Sequence, residues 1–157
     1  MGCDIHVIIQ KRDQAGRWIN LQIPNFWTLR NYALFGWLVG IRNYSGVDPL
    51  SEPRGLPDDF EISEEDDLGD HSFSWFSIEE LMNVDYDQIV EDRRCTREIT
   101  VQLPGCRVFR AMHGGQTCAP GEGEKMTLRK FLGHRPIIDL MRAHKAGAER
   151  IVFGFDN

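Results

Sequence analysis

DIHVIIQ, residues 4–10, is an apolar run that Asp4 and His6 interrupt two residues apart, and it predicts a β-strand. Residues i and i+2 of a strand project from the same face, so Asp4 and His6 should point together while the apolar side chains between them take the other face. A carboxylate beside an imidazole suits a metal ion or an acid–base pair. The alternative is a buried hydrogen-bonded pair in which the carboxylate sets the ring tautomer.

The rest of the chain predicts further strands and helices around this first strand. Residues 17–22 should complete a hairpin, and 30–40 should form a helix buried on one face. Ser77 and Glu80 match a capping box, Thr127 can cap a helix, and Pro136 suits a helix start. Further strands are predicted over 97–103, 106–112 and 150–155.

These elements predict the α+β class for residues 1–157 as a single domain. We expect a largely antiparallel sheet, two to four helices and two long loops, at 42–69 and 113–123. Within the first loop, residues 58–70 hold eight acids and no base, although the whole chain carries a net charge of only −6. Such a run is typical of a solvated, mobile loop.

Composition narrows the functional classes. Hydrophobic content of 41% and charged content of 27% are typical of a globular protein, and no stretch approaches the roughly 20 apolar residues of a membrane span. With no basic leader at the N-terminus, the sequence predicts a cytoplasmic protein with no membrane partner. The absence of a basic stripe argues against nucleic-acid binding, and the spacing of the four cysteines argues against a zinc finger.

Two further residues extend the candidate site. Asp156 follows the last apolar strand, and His71 lies in a polar stretch before the capping box. If the first and last strands are neighbours, Asp4, His6 and Asp156 should converge, with His71 arriving from a loop. Together these four residues are the predicted catalytic groups and ligands of Mn²⁺, Fe²⁺ or Zn²⁺, with open positions for water. The alternative for His71 is a structural role, in which it only caps or supports the following helix.

Four residues are candidates for binding an anionic substrate. Arg42 and Arg54 carry guanidinium groups that suit bidentate hydrogen bonds to an anion. Asn43 could orient a reacting group, and Trp75 could stack on a ligand or anchor a partner.

Scattered segments along most of the chain resemble a family of small bacteriophage and prophage proteins. The segments are MGCDIH at 1–6, RNYALF at 30–35, IRN at 41–43, PRGLPDD at 53–59, HSFSW at 71–75 and VFGFDN at 152–157. The resemblance implies a phage accessory role in the cytoplasm of a bacterial host cell, and it transfers no catalytic roles. It also implies that seven polar residues belong together: Asp4, His6, Arg42, Asn43, Arg54, His71 and Asp156.

The sequence therefore leaves two main functional hypotheses. One is a small metal-dependent hydrolase that acts on a nucleotide or another phosphate ester. The other is a non-enzymatic phage protein that sequesters a nucleotide signal or blocks a host defence protein, with a morphogenetic component as a third option. The expected partner is a small anionic ligand or a host protein, and the oligomeric state stays open.

Overall fold

The computed structural model describes residues 2–101, 104–105 and 109–157, and gives the backbone alone for 96–101 and 109–116. In chain order its elements are β1 (Asp4–Arg12), β2 (Trp18–Leu21), α1 (Tyr32–Val39), β3 (His71–Ser77), α2 (Ile78–Met82), β4 (Ile89–Asp92), β5 (Arg94–Val101), β6 (Phe109–Thr117), β7 (Glu124–Thr127), α3 (Leu128–Leu132), α4 (His134–Lys145) and β8 (Arg150–Asp156). The predicted α+β class is confirmed.

A four-stranded antiparallel sheet in the order β2-β1-β8-β3 organises the fold. The first and last strands are its two central members, with Asp4 opposite Asp156 and Gln10 opposite Arg150. The predicted neighbourhood of these strands is therefore confirmed. Two smaller antiparallel ribbons, β4 with β7 and β5 with β6, lie outside this sheet.

The inner face of the sheet packs against the helices. Ile151, Phe153 and Phe155 alternate along β8 and are fully buried in the main core, together with apolar side chains of helices α1 to α4.

Helix α1 begins at the Asn31 cap, whose side chain accepts a hydrogen bond from the Leu34 backbone, and it ends at Gly40, whose backbone is in the left-handed region. Because every residue from 33 to 39 is buried, the prediction that only one face of this helix is buried is wrong.

The outer face of the sheet is covered by residues 51–70, which we call the covering segment. Its Leu68 is buried against Ile8 and Val152 of the sheet, and Leu56 and Phe60 pack on the same cluster. Asp59, Asp66 and Asp67 bind side chains of the sheet strands. Most of the predicted solvated run at 58–70 is exposed as expected, and in addition it packs on the sheet through Phe60 and Leu68.

Two further predictions need correction. His71 lies in strand β3 rather than in a loop, and β6 extends to Thr117, so the second long loop starts only at Cys118. Part of the strand predicted over 106–112 and the Cys106 thiol lie outside the described residues. Among the residues that are described, no helix is long and apolar enough to cross a membrane.

Candidate functional site

Asp4, His6, Asp67 and Asp156 form one polar group on the outer face, which we call the acid–histidine cluster. His6 Nε2 lies 2.9 Å from Asp156 Oδ2, and His6 Nδ1 lies 3.1 Å from Asp67 Oδ2 of the covering segment. The Asp4 backbone N–H donates to Asp156 Oδ1 over 3.1 Å. The predicted meeting of these strand-end residues is confirmed, because antiparallel pairing of β1 with β8 sets them opposite each other.

Both strand-end carboxylates in this cluster are held in their charged form. Arg30 donates two hydrogen bonds to Asp4, from Nε over 2.8 Å and from Nη2 over 2.7 Å, and these lower the pKa of Asp4. Hydrogen bonds from His6 and then from the Asp4 backbone lower the pKa of Asp156. Sequence patterns did not predict Arg30 or Asp67 as partners here, because both residues lie outside the helices and strands.

The donors of this cluster do not fit a metal ion as they are arranged. Both ring nitrogens of His6 face carboxylates, and both oxygens of Asp4 face Arg30. Among the residues whose side chains are described, no group of three or more His, Cys, Asp or Glu side chains is arranged to hold a metal ion. A metal here would have to displace Arg30 or Asp67 first.

His71 does not join this cluster, so the expectation that it reaches His6 is wrong. His71 pairs with Phe155, a main-core residue, and the two rings stack with centroids 6.3 Å apart. His71 therefore faces the inner side of the sheet, whereas His6 faces the outer side. The cause is strand register. Odd-numbered residues of β8, such as Phe155 opposite His71, face the core, whereas the even-numbered Asp156 faces the outer side.

Arg42 and Asn43 lie beyond α1 and have structural partners. Arg42 donates to Asn157 Oδ1 over 3.1 Å and contacts the Tyr44 hydroxyl at 3.4 Å. Asn43 donates to the Val47 carbonyl over 2.7 Å, which closes the turn after the helix. These two predicted substrate-binding residues are therefore not brought together with Arg54 and Trp75.

Arg54 and Trp75 instead line a cleft of about 1050 Å³ on the outer face, at the end of the sheet where β8 begins. We call it the tryptophan–arginine cleft and define it by five of its lining residues: Trp18, Arg54, Asp59, Trp75 and Arg150. Strand register explains the grouping, because alternate residues of neighbouring strands face the same side. Trp18, Arg150 and Trp75 share the outer face with Val152.

Arg150 is the most unusual residue in the cleft, because its guanidinium is buried with only 4% of the residue exposed. Its Nε donates to Gln10 Oε1 over 2.8 Å, its Nη1 donates to Asp59 Oδ1 over 2.6 Å, and its Cζ lies 3.7 Å from the centroid of the Trp18 ring. Its Nη2 is buried and has no hydrogen-bond partner among the residues that the structure describes. A buried donor left in this way costs free energy, so Arg150 keeps one donor that an added acceptor would stabilise.

Asp59 bridges two other residues of the cleft, Trp18 and Arg150. Its Oδ2 accepts a hydrogen bond of 2.7 Å from Trp18 Nε1, while its Oδ1 accepts from Arg150. The hydrogen bond from Arg150, followed by the one from Trp18, lowers the pKa of Asp59. One acid of the covering segment thus serves as the counter-ion of the buried arginine.

Arg54 forms the opposite wall of the cleft. Its Nη1 and Nη2 donate to the Glu80 carboxylate over 3.2 and 2.9 Å. Its guanidinium lies 4.3 Å from the Phe76 ring centroid and 5.5 Å from that of Trp75, so cation–π attraction also holds it. Arg54 and Trp75 were predicted from the sequence as ligand-binding residues, whereas Trp18, Asp59 and Arg150 were not. An arginine that opens an otherwise apolar strand was the available signal for Arg150.

The cleft and the acid–histidine cluster are separate sites. Arg150 and Asp156 lie at opposite ends of β8, and six residues of a strand span about 20 Å.

Comparison of the chain with protein-family models, curated proteins and solved structures gives no match.

Proposed function

We propose that the protein binds a small anionic ligand of the nucleotide class in the tryptophan–arginine cleft, as a non-enzymatic phage accessory protein. The observation that carries this proposal is the buried Arg150, whose Nη2 has no acceptor in the described part of the chain although the residue lines a cleft large enough for a ligand. Indole rings and guanidinium groups are the side chains with which proteins hold bases and phosphates. Both kinds line this cleft.

The separation of the two sites supports binding over hydrolysis. His6 and Asp156 are the candidate acid–base pair, yet they lie at the far end of β8 from Arg150. Along the sheet Arg150 is about 13 Å from His6, which lies opposite Gly154, and about 20 Å from Asp156, so a ligand held by Arg150 is far beyond hydrogen-bond reach of that pair. The cleft itself offers guanidinium donors held by carboxylates, an arrangement that suits orientation of a bound ligand.

Charge in the cleft favours a ligand with a single phosphate. Four carboxylates and three guanidinium groups line it. A triphosphate would bring several negative charges into a cleft without a surplus of positive charge, and like charges at close range repel. We expect adenosine monophosphate to bind more tightly than adenosine triphosphate.

Isothermal titration calorimetry tests the proposal with adenosine, adenosine monophosphate and adenosine triphosphate as probes. Wild-type protein should bind the monophosphate, and Arg54→Gln should weaken that binding roughly tenfold, because a charged hydrogen-bond donor is worth about 1.5–3 kcal/mol. Arg129→Gln is the matched control, since Arg129 makes a similar ion pair with Asp87 outside the cleft. Equal affinity of wild type and Arg54→Gln, or no binding of any probe, would reject the proposal.

The metal-dependent hydrolase stays a prediction of the sequence, and its His6 would have to give up the 2.9 Å contact of Nε2 with Asp156 Oδ2 to bind a metal through that nitrogen. Elemental analysis of protein purified without a metal-affinity tag tests it, with His6→Ala alongside. Near-stoichiometric Mn, Fe or Zn that disappears in the variant would support a metal site. Equal metal content in both proteins would remove the hypothesis.

The biological setting rests on the sequence resemblance. We propose that the protein acts in the cytoplasm of a bacterial host cell and sequesters a nucleotide signal there. A protein that blocks a host defence protein is the alternative, and the exposed acids Glu61, Glu64 and Glu65 would then meet a basic partner surface.

A further inference from the structure

We propose that the corner between Arg150 and Trp18 is a phosphate subsite, in which a tetrahedral oxyanion of the ligand replaces the carboxylate of Asp59. The inference rests on the proposed function, which supplies a ligand for the cleft, and it adds the atoms that hold the ligand's phosphate. Asp59 then acts as an internal substitute that the ligand displaces.

The number of donors in this corner exceeds the number of acceptor atoms that Asp59 offers. Nη1 and Nη2 of Arg150 and Nε1 of Trp18 are three donor nitrogens, and two of them, Nη1 and Nε1, contact the same carboxylate. Asp59 supplies two oxygens, one to Nη1 over 2.6 Å and one to Nε1 over 2.7 Å. Nη2 is the donor left over. Leaving a charged donor buried and unpaired is costly, so the corner favours an anion with more acceptor atoms.

A terminal phosphate has three acceptor oxygens and therefore matches the three donors. Two oxygens can take the planar fork of Nη1 and Nη2, which is the geometry that guanidinium groups use for phosphates. The third can accept from Trp18 Nε1. A carboxylate ligand has two oxygens, so it could serve the three donors only by sharing one oxygen between two of them, and the corner should therefore favour phosphates over carboxylates.

Asp59 is suited to leave, whereas the donors are held in place without it. The side chain of Asp59 is 61% exposed and belongs to the covering segment, which has no helix or strand of its own. Arg150 keeps its Nε hydrogen bond to Gln10, a residue only 5% exposed, and its stacking on the Trp18 ring. Displaced Asp59 would return to water, so its release costs little desolvation.

Calorimetry on Asp59→Asn tests the inference, with adenosine monophosphate and adenosine as probes. Removing the competing carboxylate should tighten binding of the monophosphate about tenfold and leave adenosine within about twofold. Asp58→Asn is the matched control, because it removes one negative charge from the same cleft at a neighbouring lining residue. That variant should leave adenosine within about twofold and tighten the monophosphate clearly less than Asp59→Asn does, because Asp58 repels a phosphate without occupying its position.

The outcomes of this experiment distinguish failure of the phosphate subsite from failure of the binding proposal on which the subsite rests. Unchanged or weaker monophosphate binding in Asp59→Asn, or an equal gain in Asp58→Asn, would overturn the subsite while leaving the cleft as a binding site. No binding of either probe by any of the three proteins would overturn both.

A measurement on the wild type keeps the inference testable if Asp59→Asn does not fold. Inorganic phosphate should shift the ¹H–¹⁵N signal of the Trp18 indole N–H, because its acceptor changes from a carboxylate to a phosphate. Acetate at the same ionic strength should not shift it. Equal shifts with both anions, or none with phosphate, would overturn the subsite.

Discussion

At the scale of single residues, alternation along β8 decides which side chains meet. Even-numbered positions carry Arg150 and Asp156 to the outer face, and odd-numbered positions carry Phe153 and Phe155 to the core. The spacing of Asp4 and His6 was therefore enough to predict their common face and their meeting with Asp156. His71 was misplaced because its register against β8 is set by long-range pairing, which no local pattern reveals.

At Gly154 the backbone of the covering segment lies directly against the sheet. A Cβ added there would collide with the Leu68 carbonyl oxygen and lie 2.7 Å from Cδ1 of Phe73. Gly154→Ala should therefore lower the free energy of unfolding by roughly 1–3 kcal/mol, the usual cost of overpacking. Urea unfolding measures it, and a loss below about 0.5 kcal/mol would contradict the close packing described here.

At the scale of elements, the helix caps were the most predictable features. Ser77 Oγ accepts from the Glu80 backbone over 3.0 Å, and Glu80 Oε2 accepts from the Ser77 backbone over 2.8 Å, so the predicted capping box is confirmed. A capping box can be predicted from sequence because its two partner residues are only three positions apart. The contacts of the covering segment could not be predicted from local sequence, because its acids bind side chains of strands that are distant in the chain.

Glu80 links the cap of α2 to the cleft wall, and it should make stability depend on pH. The hydrogen bond from Arg54 is the main cause that lowers the pKa of Glu80 below its ordinary value of 4.5. A carboxyl group with a lowered folded-state pKa stabilises the fold above its unfolded-state pKa, and loses that contribution as pH falls through the folded-state value. Unfolding free energy should therefore fall as pH drops below about 4.5.

Urea unfolding of Glu80→Gln between about pH 3 and 6 isolates this contribution. The variant should show a shallower loss of stability towards low pH, because its amide does not titrate, while glutamine can keep the cap. Glu79→Gln in the same helix is the matched control, since the described contacts give Glu79 no ion pair. Parallel pH profiles for wild type and Glu80→Gln would rule out the role assigned to this ion pair.

At the scale of the whole molecule, the sheet carries different chemistry at its two ends. The outer face has the acid–histidine cluster at one end and the tryptophan–arginine cleft at the other, with the apolar contacts of Ile8 and Val152 between them. The sequence predicted the class and the antiparallel sheet from local patterns. It could not predict the cleft, because Trp18, Asp59 and Arg150 are far apart in the chain and meet only through strand pairing. That all 157 residues form one domain stays a prediction, which a single cooperative unfolding transition would support.

The most direct test of the binding proposal uses the four tryptophans as internal probes. Trp18 and Trp75 line the cleft, whereas Trp27 and Trp37 are buried in the main core. Their indole N–H signals can be followed in a ¹H–¹⁵N spectrum during titration with adenosine monophosphate, after assignment by single Trp→Phe variants. We predict saturable shifts of the Trp18 and Trp75 signals while those of Trp27 and Trp37 stay in place. No shift at saturating ligand, or equal shifts of all four signals, would contradict binding in the cleft.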